Sequence, residues 1–190
     1  MADAAKTNID DEVHWFAMRV TYRRELKTQE QLRQAGFETF MPMKIVKKRV
    51  FGKLKVSKAP AVSSLLFIHS TSKKIQEFKG DLQYLQYIMT HDRNGLRVKA
   101  TVPDKQMQDF IAVCGSEDER LLFMDPTTLV LKAGQRVRVL AGPCQGMIGY
   151  YQRVKGAREK RFVISIPHVV AVVTTEVLAN QLMVVKDDEV

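Results

Sequence analysis

The 190 residues of this chain are enough for one large domain or two small ones, and they carry a net charge of +9. A content of 45% hydrophobic and 27% charged residues is typical of globular proteins and excludes wholesale disorder. No run approaches the roughly 18 consecutive apolar residues of a membrane helix. The polar, acidic N-terminus differs from signal and transit peptides. The composition therefore predicts a cytoplasmic protein with no membrane partner, which begins with a disordered tail over residues 1–12.

Positive charge is concentrated in the first third of the chain. Residues 19–58 contain twelve basic and three acidic residues, so this span alone carries a net charge of +9. Within residues 44–58 there are seven basic residues and no acidic one. Because such a run repels itself unless a polyanion neutralises it, the pattern predicts that residues 19–58 contact nucleic acid. The alternative is a solvated hairpin that needs the charge only for solubility.

The first elements in chain order mix strands and helices. The alternating apolar residues of His14–Val20 predict a strand. Tyr22–Ala35 lacks Pro and Gly and predicts a helix, which ends before Gly36. The next segments are predicted as extended chain over Phe37–Met43, a basic hairpin of Lys44–Phe51 and Lys53–Val56 around Gly52, a central strand over Leu65–His69 and a short helix over Ser72–Lys79.

Pro103–Cys114 is the clearest predicted helix. Pro and Asp at its start suit the first turn, and Gly115 supplies the end. The residues Met107, Phe110, Ile111 and Cys114 follow the i, i+3, i+4, i+7 spacing of one buried stripe. Cys114 is therefore predicted to behave as a small core hydrophobe rather than as a reactive thiol. The order β-α-β-β-β-α-β-α over residues 13–115 predicts an antiparallel α+β domain.

The composition changes after Gly115 to short β-rich segments separated by turns. The predicted strands are Arg136–Leu140, Met147–Val154, Phe162–Ile166, Val169–Thr175 and Leu182–Val185. Five short strands in about 55 residues predict a small β-barrel over residues 131–190, which a linker over residues 116–130 connects to the first domain. The predicted fold class is therefore α+β, with an N-terminal antiparallel sheet flanked by helices and a small five-stranded barrel.

No catalytic or metal-binding pattern is present in the sequence. The GxSxG, HExxH and GxxxxGK[ST] motifs are all missing, and the carboxylates show no pairing suited to acid–base chemistry. The four histidines share no ligand spacing. Cys114 and Cys144 cannot form a disulfide framework and match no zinc pattern. The sequence therefore predicts a protein that is not an enzyme and that uses no metal or other cofactor.

Residues 134–154, with the sequence GQRVRVLAGPCQGMIGYYQRV, resemble the KOW motif. The resemblance rests on the alternating Val137 and Val139 and on the glycine-rich segment after them. The KOW turn comprises Gly142, Pro143, Gly146 and Gly149. Glycine suits such a hairpin in a small barrel because it admits positive φ and close strand packing.

The N-terminal half resembles the NGN domain of NusG-family transcription elongation factors. The matching features are Trp15-Phe16 in the first strand, Glu25 in the first helix, the order Gly36, Phe40, Pro42, and Pro60–Ile68 in place of the family's PLFPGYLFV strand. The resemblance covers nearly all of residues 13–185. It implies an NGN-like polymerase-binding domain over residues 13–115 and a KOW β-barrel over residues 131–190.

Three strings favour a specialised member of that family. WFAMRVTYRRELK, VPDKQMQDFIAVCG and VKGAREKR are similar to the UpxY-type antiterminators of capsular polysaccharide operons. The chain departs from the family at Ser63, Ser64 and Leu65, which stand where Pro-Gly-Tyr is usual. Val62 stands where an aromatic residue is common. The departures imply a polymerase-facing surface that is less aromatic than in other members.

The resemblance implies a monomeric factor that binds the clamp helices of RNA polymerase during elongation. Such a factor suppresses pausing and termination, here at polysaccharide operons, while the polymerase supplies all the chemistry. The implied polymerase-binding patch comprises Trp15, Val62, Leu65, Phe67, Tyr84 and Tyr87. The alternative for these residues is ordinary sheet core, which we favour for Phe67. Tyr84 and Tyr87 lie among polar residues and suit a partly exposed surface.

The resemblance also implies contact with the non-template DNA strand or with nascent RNA. The implied nucleic-acid-binding residues are Arg19, Arg23, Arg24, Lys27 and Gln31, the hairpin residues Lys47, Lys48 and Arg49, and the loop residues Thr90, His91 and Arg93. Stacking of bases on Arg or Tyr and charge contact to phosphate are the available forces. The KOW domain would bind a ribosomal protein or a termination factor.

Two other functions remain open at this point. One is a housekeeping NusG-type factor that recruits a termination factor. The other is a KOW-type RNA-binding or ribosome-binding protein without polymerase affinity, which would be expected to carry its basic charge on the barrel. Residues 116–190 hold ten basic and nine acidic residues, so the charge pattern disfavours this second function. An enzyme acting on polysaccharide is disfavoured by the missing carboxylate pair.

Overall fold

The computed structural model describes residues 11–80, 82–92, 94–115, 121–124, 135–142, 144–153, 160–174 and 179–185. These residues form two compact units. The first unit combines the described residues up to Met41 with Ser63–Asp104. The second unit combines Pro42–Val62 with the described residues from Lys105 onward. Each unit is therefore assembled from separate stretches of the chain.

Strands outnumber helices in the described part of the chain. In chain order the elements are β1 (Val13–Val20), α1 (Glu25–Gln34), β2 (Glu38–Phe40), β3 (Met43–Val50), β4 (Lys53–Pro60), β5 (Leu65–Thr71), α2 (Ser72–Lys79), β6 (Leu85–Tyr87), β7 (Met89–His91), β8 (Arg97–Lys99), β9 (Thr101–Val102), α3 (Asp104–Gly115), β10 (Leu122–Met124), β11 (Gln135–Val139), β12 (Ile148–Arg153), β13 (Lys160–Ile166), β14 (Val170–Val173) and β15 (Leu182–Val184). A 3₁₀ turn, Ala179–Gln181, precedes the last strand. The predicted α+β fold class is confirmed.

The first unit is built on an antiparallel sheet in which β1 is the central strand. Hydrogen-bonded neighbours follow the order β2-β5-β1-β6, and β9 pairs with β1 at Trp15 and Phe16. The long β1–β5 pair places Ala17 opposite Phe67. A separate two-stranded ladder joins β7 to β8. Strand β1 leads into α1 through a turn over residues 21–24, so the sheet fixes where this turn begins.

The core of the first unit covers both faces of its two longest strands. Four consecutive residues of β1, Trp15–Met18, and four of β5, Leu65–Ile68, are buried. A strand with one solvent face would alternate buried and exposed residues, so unbroken burial means that both faces are covered. The predicted central strand at Leu65–His69 is confirmed.

Both helices of the first unit were predicted, but α1 begins later than expected. Tyr22 and Arg23 have φ values of +62° and +55°, which a right-handed helix cannot contain, so the helix starts at Glu25. The bounds of α2 match the prediction. Its first turn is capped by Thr71, whose Oγ1 accepts a hydrogen bond from the backbone N–H of Lys74 at 3.3 Å.

Helix α3 is confirmed, but part of its buried stripe was predicted wrongly. Met107 and Phe110 are buried as expected, whereas Val113 replaces Ile111 as the third buried residue, so the buried face follows i, i+3, i+6. Cys114 is half-buried, and this burial raises the pKa of its thiol to about 12. The thiol therefore stays protonated at neutral pH, as expected for a small hydrophobe.

The basic segment of the second unit forms the predicted hairpin, and the hairpin is longer than expected. Strands β3 and β4 pair along their full length, from Met43 opposite Pro60 to Val50 opposite Lys53. The turn is Phe51-Gly52. Most of the ribbon is solvent-exposed, and burial increases only toward its base. The basic side chains are therefore presented along a two-stranded ribbon.

The C-terminal part of the second unit is an antiparallel sheet with the order β10-β14-β13-β12-β11-β15. All five predicted strands are confirmed to within one or two residues. A short strand, Leu122–Met124, lies inside the segment predicted as a linker and pairs with β14. Its three residues are too few to show the alternation that predicts a strand from sequence. The predicted domain boundaries themselves stay predictions.

Candidate functional site

Strained backbone marks the turn between β1 and α1. Three residues other than glycine adopt positive φ values here: Tyr22, Arg23 and, in the loop before β5, Ser64. The Ser64 carbonyl accepts a hydrogen bond from the Val20 N–H at 2.9 Å, so the loop lies directly beside the end of β1. Such conformations persist only where surrounding contacts enforce them, and they concentrate at binding sites.

A buried carboxylate holds this turn together. Glu25 is 6% exposed, and its Oε1 accepts a hydrogen bond from the Ser64 N–H at 2.8 Å. The bond joins the first residue of α1 to a residue 39 positions later in the chain. Glu25 also lies in the first turn of α1, where its charge suits the positive end of the helix dipole. The sequence pattern marks Glu25 only as a family feature, and the structure adds this bonding role.

Arg24 and Tyr84 form a second link across the same turn. The guanidinium carbon of Arg24 lies 4.9 Å from the centre of the Tyr84 ring. The Tyr84 carbonyl accepts a hydrogen bond from the Thr21 N–H at 2.9 Å. Stacking of a guanidinium on an aromatic ring leaves its edge N–H groups able to donate to phosphate. The pair therefore offers both a π surface and a positive charge.

The predicted basic residues of β1, the strained turn and α1 are all exposed in the first unit. Arg24, Lys27 and Gln31 have i, i+3, i+7 spacing and lie on one side of α1, and all three are exposed. Arg19 and Arg23, on β1 and in the strained turn, are exposed as well. We call these five residues the basic face. The exposed Tyr22, which sequence reasoning missed, lies in the same turn.

Two of the three predicted loop residues, Thr90 and His91, lie in strand β7 of the β7–β8 ladder. Thr90 is half-buried, His91 is exposed, and Arg93 lies outside the described residues. His91 is directly opposite Arg97, a further basic residue that sequence reasoning did not single out. Asp92 orders the turn, because its Oδ1 accepts hydrogen bonds from the backbone N–H groups of Asn94 and Leu96. The signal that identifies Arg97 is the pairing of the two strands, which places it opposite His91.

The predicted apolar patch divides into buried and half-buried residues. Trp15, Leu65 and Phe67 are buried in the core of the first unit. The Trp15 ring stacks on His69 with ring centres 4.8 Å apart. Tyr84 and Tyr87 in the first unit and Val62 in the second are half-buried. The core alternative is therefore confirmed for Phe67 and extends to Trp15 and Leu65, while partner contact by the other three residues stays a prediction.

Tyr87 is held in place by several neighbours. Its hydroxyl donates a hydrogen bond to the Ser72 carbonyl at 3.2 Å, and its ring meets Phe16 edge to face at 5.5 Å. The ammonium group of Lys99 lies 5.0 Å from the ring centre and donates a hydrogen bond to the Ser72 hydroxyl. A ring fixed in this way loses little conformational freedom when a partner covers it.

The remaining predicted residues lie in the second unit. Lys47, Lys48 and Arg49 are exposed on β3. Gly142 and Gly146 have φ values of +90° and +82°, and the Gly146 N–H donates to the Val139 carbonyl at 2.8 Å, which closes the hairpin between β11 and β12. Gly149 lies in β12 against Phe162 and Val163, and Pro143 lies outside the described residues.

Neither a metal centre nor a membrane helix is found in the part of the chain that the structure describes. Its His, Cys, Asp and Glu side chains form no group of three or more that could hold a metal ion. None of its helices has the length and apolar character needed to cross a membrane.

Comparison with known proteins gives a family match over residues 13–111. The matching family model is described as "Transcription termination factor nusG". Among solved structures, the chain is similar to that reported as "Domain interaction in Thermotoga maritima NusG", with 14% sequence identity and a TM-score of 0.44. That similarity covers 92% of this chain and 98% of the other. None of the curated protein sequences matches this chain significantly.

Proposed function

Because this chain belongs to the NusG family of transcription factors, we propose that it is an elongation factor that binds RNA polymerase and suppresses pausing and termination. The observation that carries the proposal is the family match, which extends from β1 into α3. The protein has no catalytic role of its own in this proposal. It acts in the cytoplasm as a monomer, and its partner performs the chemistry.

Polymerase contact is assigned to the half-buried residues of the predicted patch. Tyr84 and Tyr87 support this assignment because their rings are partly exposed, and Tyr87 is rigidly held by Ser72, Phe16 and Lys99. Val62, which is also half-buried, is proposed as a further contact residue. The buried Trp15, Leu65 and Phe67 would contribute indirectly, because their packing in the core holds the sheet in place. The clamp helices of the polymerase are the proposed partner, as the family resemblance implies.

Contact with the non-template DNA strand or with nascent RNA is assigned to the basic face. Its four basic side chains are exposed, and the flat guanidinium of Arg24, held against Tyr84, is suited to base stacking. His91 and Arg97 of the β7–β8 ladder extend the set of exposed basic groups. Capsular polysaccharide operons are the proposed targets, on the strength of the three UpxY-like strings. The C-terminal sheet is the proposed site for a ribosomal protein or a termination factor.

The test of this function uses the full chain with purified core RNA polymerase. We expect the two to co-migrate in gel filtration, and we expect the chain to increase read-through at a terminator in a transcription assay. Decreased read-through would instead support a housekeeping factor that assists termination. Failure to bind polymerase, together with binding to ribosomal RNA, would support the KOW-type alternative. Sequencing nascent RNA that co-purifies with the tagged protein would identify the operon.

The basic face leads to a prediction about salt. Replacing Arg23, Arg24 and Lys27 with Gln is expected to reduce the slope of log affinity for single-stranded nucleic acid against log salt by about two units, since each phosphate contact contributes roughly 0.7. The measurement is fluorescence anisotropy over a salt series. Polymerase affinity should fall less than strand affinity, because the substitutions keep the Tyr84 ring and remove only the guanidinium of Arg24 that packs on it. An unchanged slope would mean that these side chains are only solvated.

A further inference from the structure

The tip of the β3–β4 hairpin carries an aromatic residue in a conformation that disfavours it. The two-residue turn Phe51-Gly52 has φ values of +50° and +76°, the pattern of a type I′ turn. Asn-Gly is the favoured pair for such a turn, and a bulky residue with positive φ is an outlier. The Phe51 side chain is fully exposed, so it contributes no packing within the chain. Folding alone therefore gives no reason for phenylalanine at this position.

The charges of the same ribbon are also arranged against folding. Cross-strand pairing places Lys44, Lys48, Lys53 and Lys55 on one face of the ribbon. Lys48 is directly opposite Lys55, and like charges at opposed positions destabilise a strand pair. We call these four residues the lysine face. Within the described part of the chain, no carboxylate forms an ion pair with any of them.

A polyanion would relieve this repulsion, and an unpaired base would cover the exposed ring. Every nucleobase offers a flat face that stacks on an aromatic side chain, and adjacent phosphates attract lysines. A single strand suits the site better than a duplex, because its bases are already free to stack on a ring at the tip. In the interior of a duplex, the ring could stack only after a base step had been unstacked.

A lipid surface suits the ribbon less well. A membrane-binding element needs an apolar face that can enter the headgroup boundary. Lys53 comes directly after the turn on one face, and Arg49 opposes Leu54 on the other face. Both faces therefore carry a basic residue close to the tip. Insertion of the tip would bring these charges to the boundary together with the ring.

We propose that the β3–β4 ribbon binds single-stranded nucleic acid, with Phe51 stacked on an unpaired base and the lysine face on the adjacent phosphates. The proposal rests on the nucleic-acid contact included in the proposed function, but it adds a site in the second unit and a residue that stacks on the base. The two unfavourable features of the hairpin, the strained Phe51 and the opposed lysines, are then both explained by one ligand. Strain retained at an exposed tip is a reason to look for such a role.

The test compares the full chain with its Phe51→Asn variant. Asparagine suits the turn, so the variant should show slower hydrogen exchange at the backbone amides of β3 and β4. Its affinity for a twelve-nucleotide single strand should nevertheless fall by about 5- to 150-fold, the range expected for loss of one stacked base. Phe51→Trp should retain the affinity. A more ordered hairpin that binds less well cannot be explained by unfolding.

Matched probes and a control variant distinguish the alternatives. Leu54→Asn removes another exposed apolar side chain of the ribbon and should leave affinity for the strand within about twofold, since no stacking is lost. The probes are single-stranded DNA, single-stranded RNA, a blunt duplex and vesicles containing phosphatidylserine. Equal loss for Phe51→Asn and Leu54→Asn would overturn the proposal, as would a loss confined to vesicles or duplex. Unchanged affinity of Phe51→Asn for both single strands would overturn it as well.

The test of the Phe51 site can fail or succeed independently of the test of the proposed function. Oligonucleotide binding is measured without polymerase, whereas the proposed function is tested by co-migration with polymerase and by read-through. A wild-type chain that binds strands through Phe51 but does not bind polymerase would support this site and contradict the proposed function. A chain that binds polymerase but shows no effect of Phe51→Asn on strand affinity would support the proposed function and contradict this site.

Discussion

Replacing Gly149 with alanine is expected to destabilise the C-terminal sheet by about 3 kcal/mol, at the upper end of the usual cost of overpacking a core. A Cβ atom at this position would lie 2.5 Å from the Val163 carbonyl oxygen and 2.7 Å from a ring carbon of Phe162. The carbonyl belongs to the paired strand β13, so it cannot move aside without disturbing the ladder. The measurement is urea unfolding followed by circular dichroism.

A second glycine provides the control for this prediction. Gly115, at the end of α3, does not adopt positive φ, and an added Cβ there would have no neighbouring atom within 4 Å. Gly115→Ala is therefore expected to be neutral or to stabilise the chain, by at most about 1 kcal/mol. If Gly149→Ala were equally mild, β12 and β13 would have to lie farther apart than the structure shows.

Much of the C-terminal sheet could be predicted because its signals are local. Residues 162–173 are rich in Val and Ile, which favour strands, and Pro167 interrupts them at the turn. The glycines at positions 142 and 146 mark the hairpin, and both do adopt positive φ. Strand β10 was missed because its pairing with β14 is a long-range contact that three residues cannot signal.

The division of the apolar patch could not be predicted from sequence. Trp15 and Tyr87 are both aromatic residues on strands of the same sheet, yet Trp15 is buried and Tyr87 is half-buried. The difference arises from pairing, since Trp15 lies in the central strand between β5 and β9, while Tyr87 lies in β6 at the end of the path. Sequence periodicity gives the face of a strand but not its place in the sheet.

The strained residues were missed for a different reason. The pattern of Tyr22–Ala35 is helical throughout, and neither Tyr22 nor Phe51 is a residue type associated with positive φ. Their conformations depend on contacts made by neighbouring residues. Glu25 holds the Ser64 loop beside the turn that contains Tyr22, and the pairing of β3 with β4 closes the two-residue turn that contains Phe51. Such local conflicts between residue and conformation are expected at functional positions.

Replacing Glu25 with alanine is expected to lower the free energy of unfolding of the first unit by about 2 kcal/mol, within the range for a hydrogen bond to a charged group. The substitution removes the acceptor for the Ser64 N–H, and it also removes a charge from the first turn of α1. Ser64, which has a φ of +61°, is then free to leave its strained conformation. The measurement is the free energy of unfolding in urea, together with the amide chemical shift of Ser64.

Two further variants separate the hydrogen bond from the charge. Glu25→Gln keeps a carbonyl oxygen that can accept from Ser64, so it should lose about half as much stability as the alanine variant. Glu30→Ala removes an exposed acid whose Oε1 accepts a side-chain hydrogen bond from Gln34, and it should cost less than about 0.5 kcal/mol.

The Glu25 variants also test whether the strained turn serves binding. Glu25→Ala should weaken single-strand affinity although it removes a negative charge beside the basic face, because Arg23 and Arg24 lose the fixed positions that the turn provides. Simple electrostatics predicts that the substitution strengthens single-strand affinity, since loss of an acid favours binding of a polyanion. Tighter binding by Glu25→Ala would therefore mean that net charge, rather than the geometry of the turn, determines affinity at the basic face.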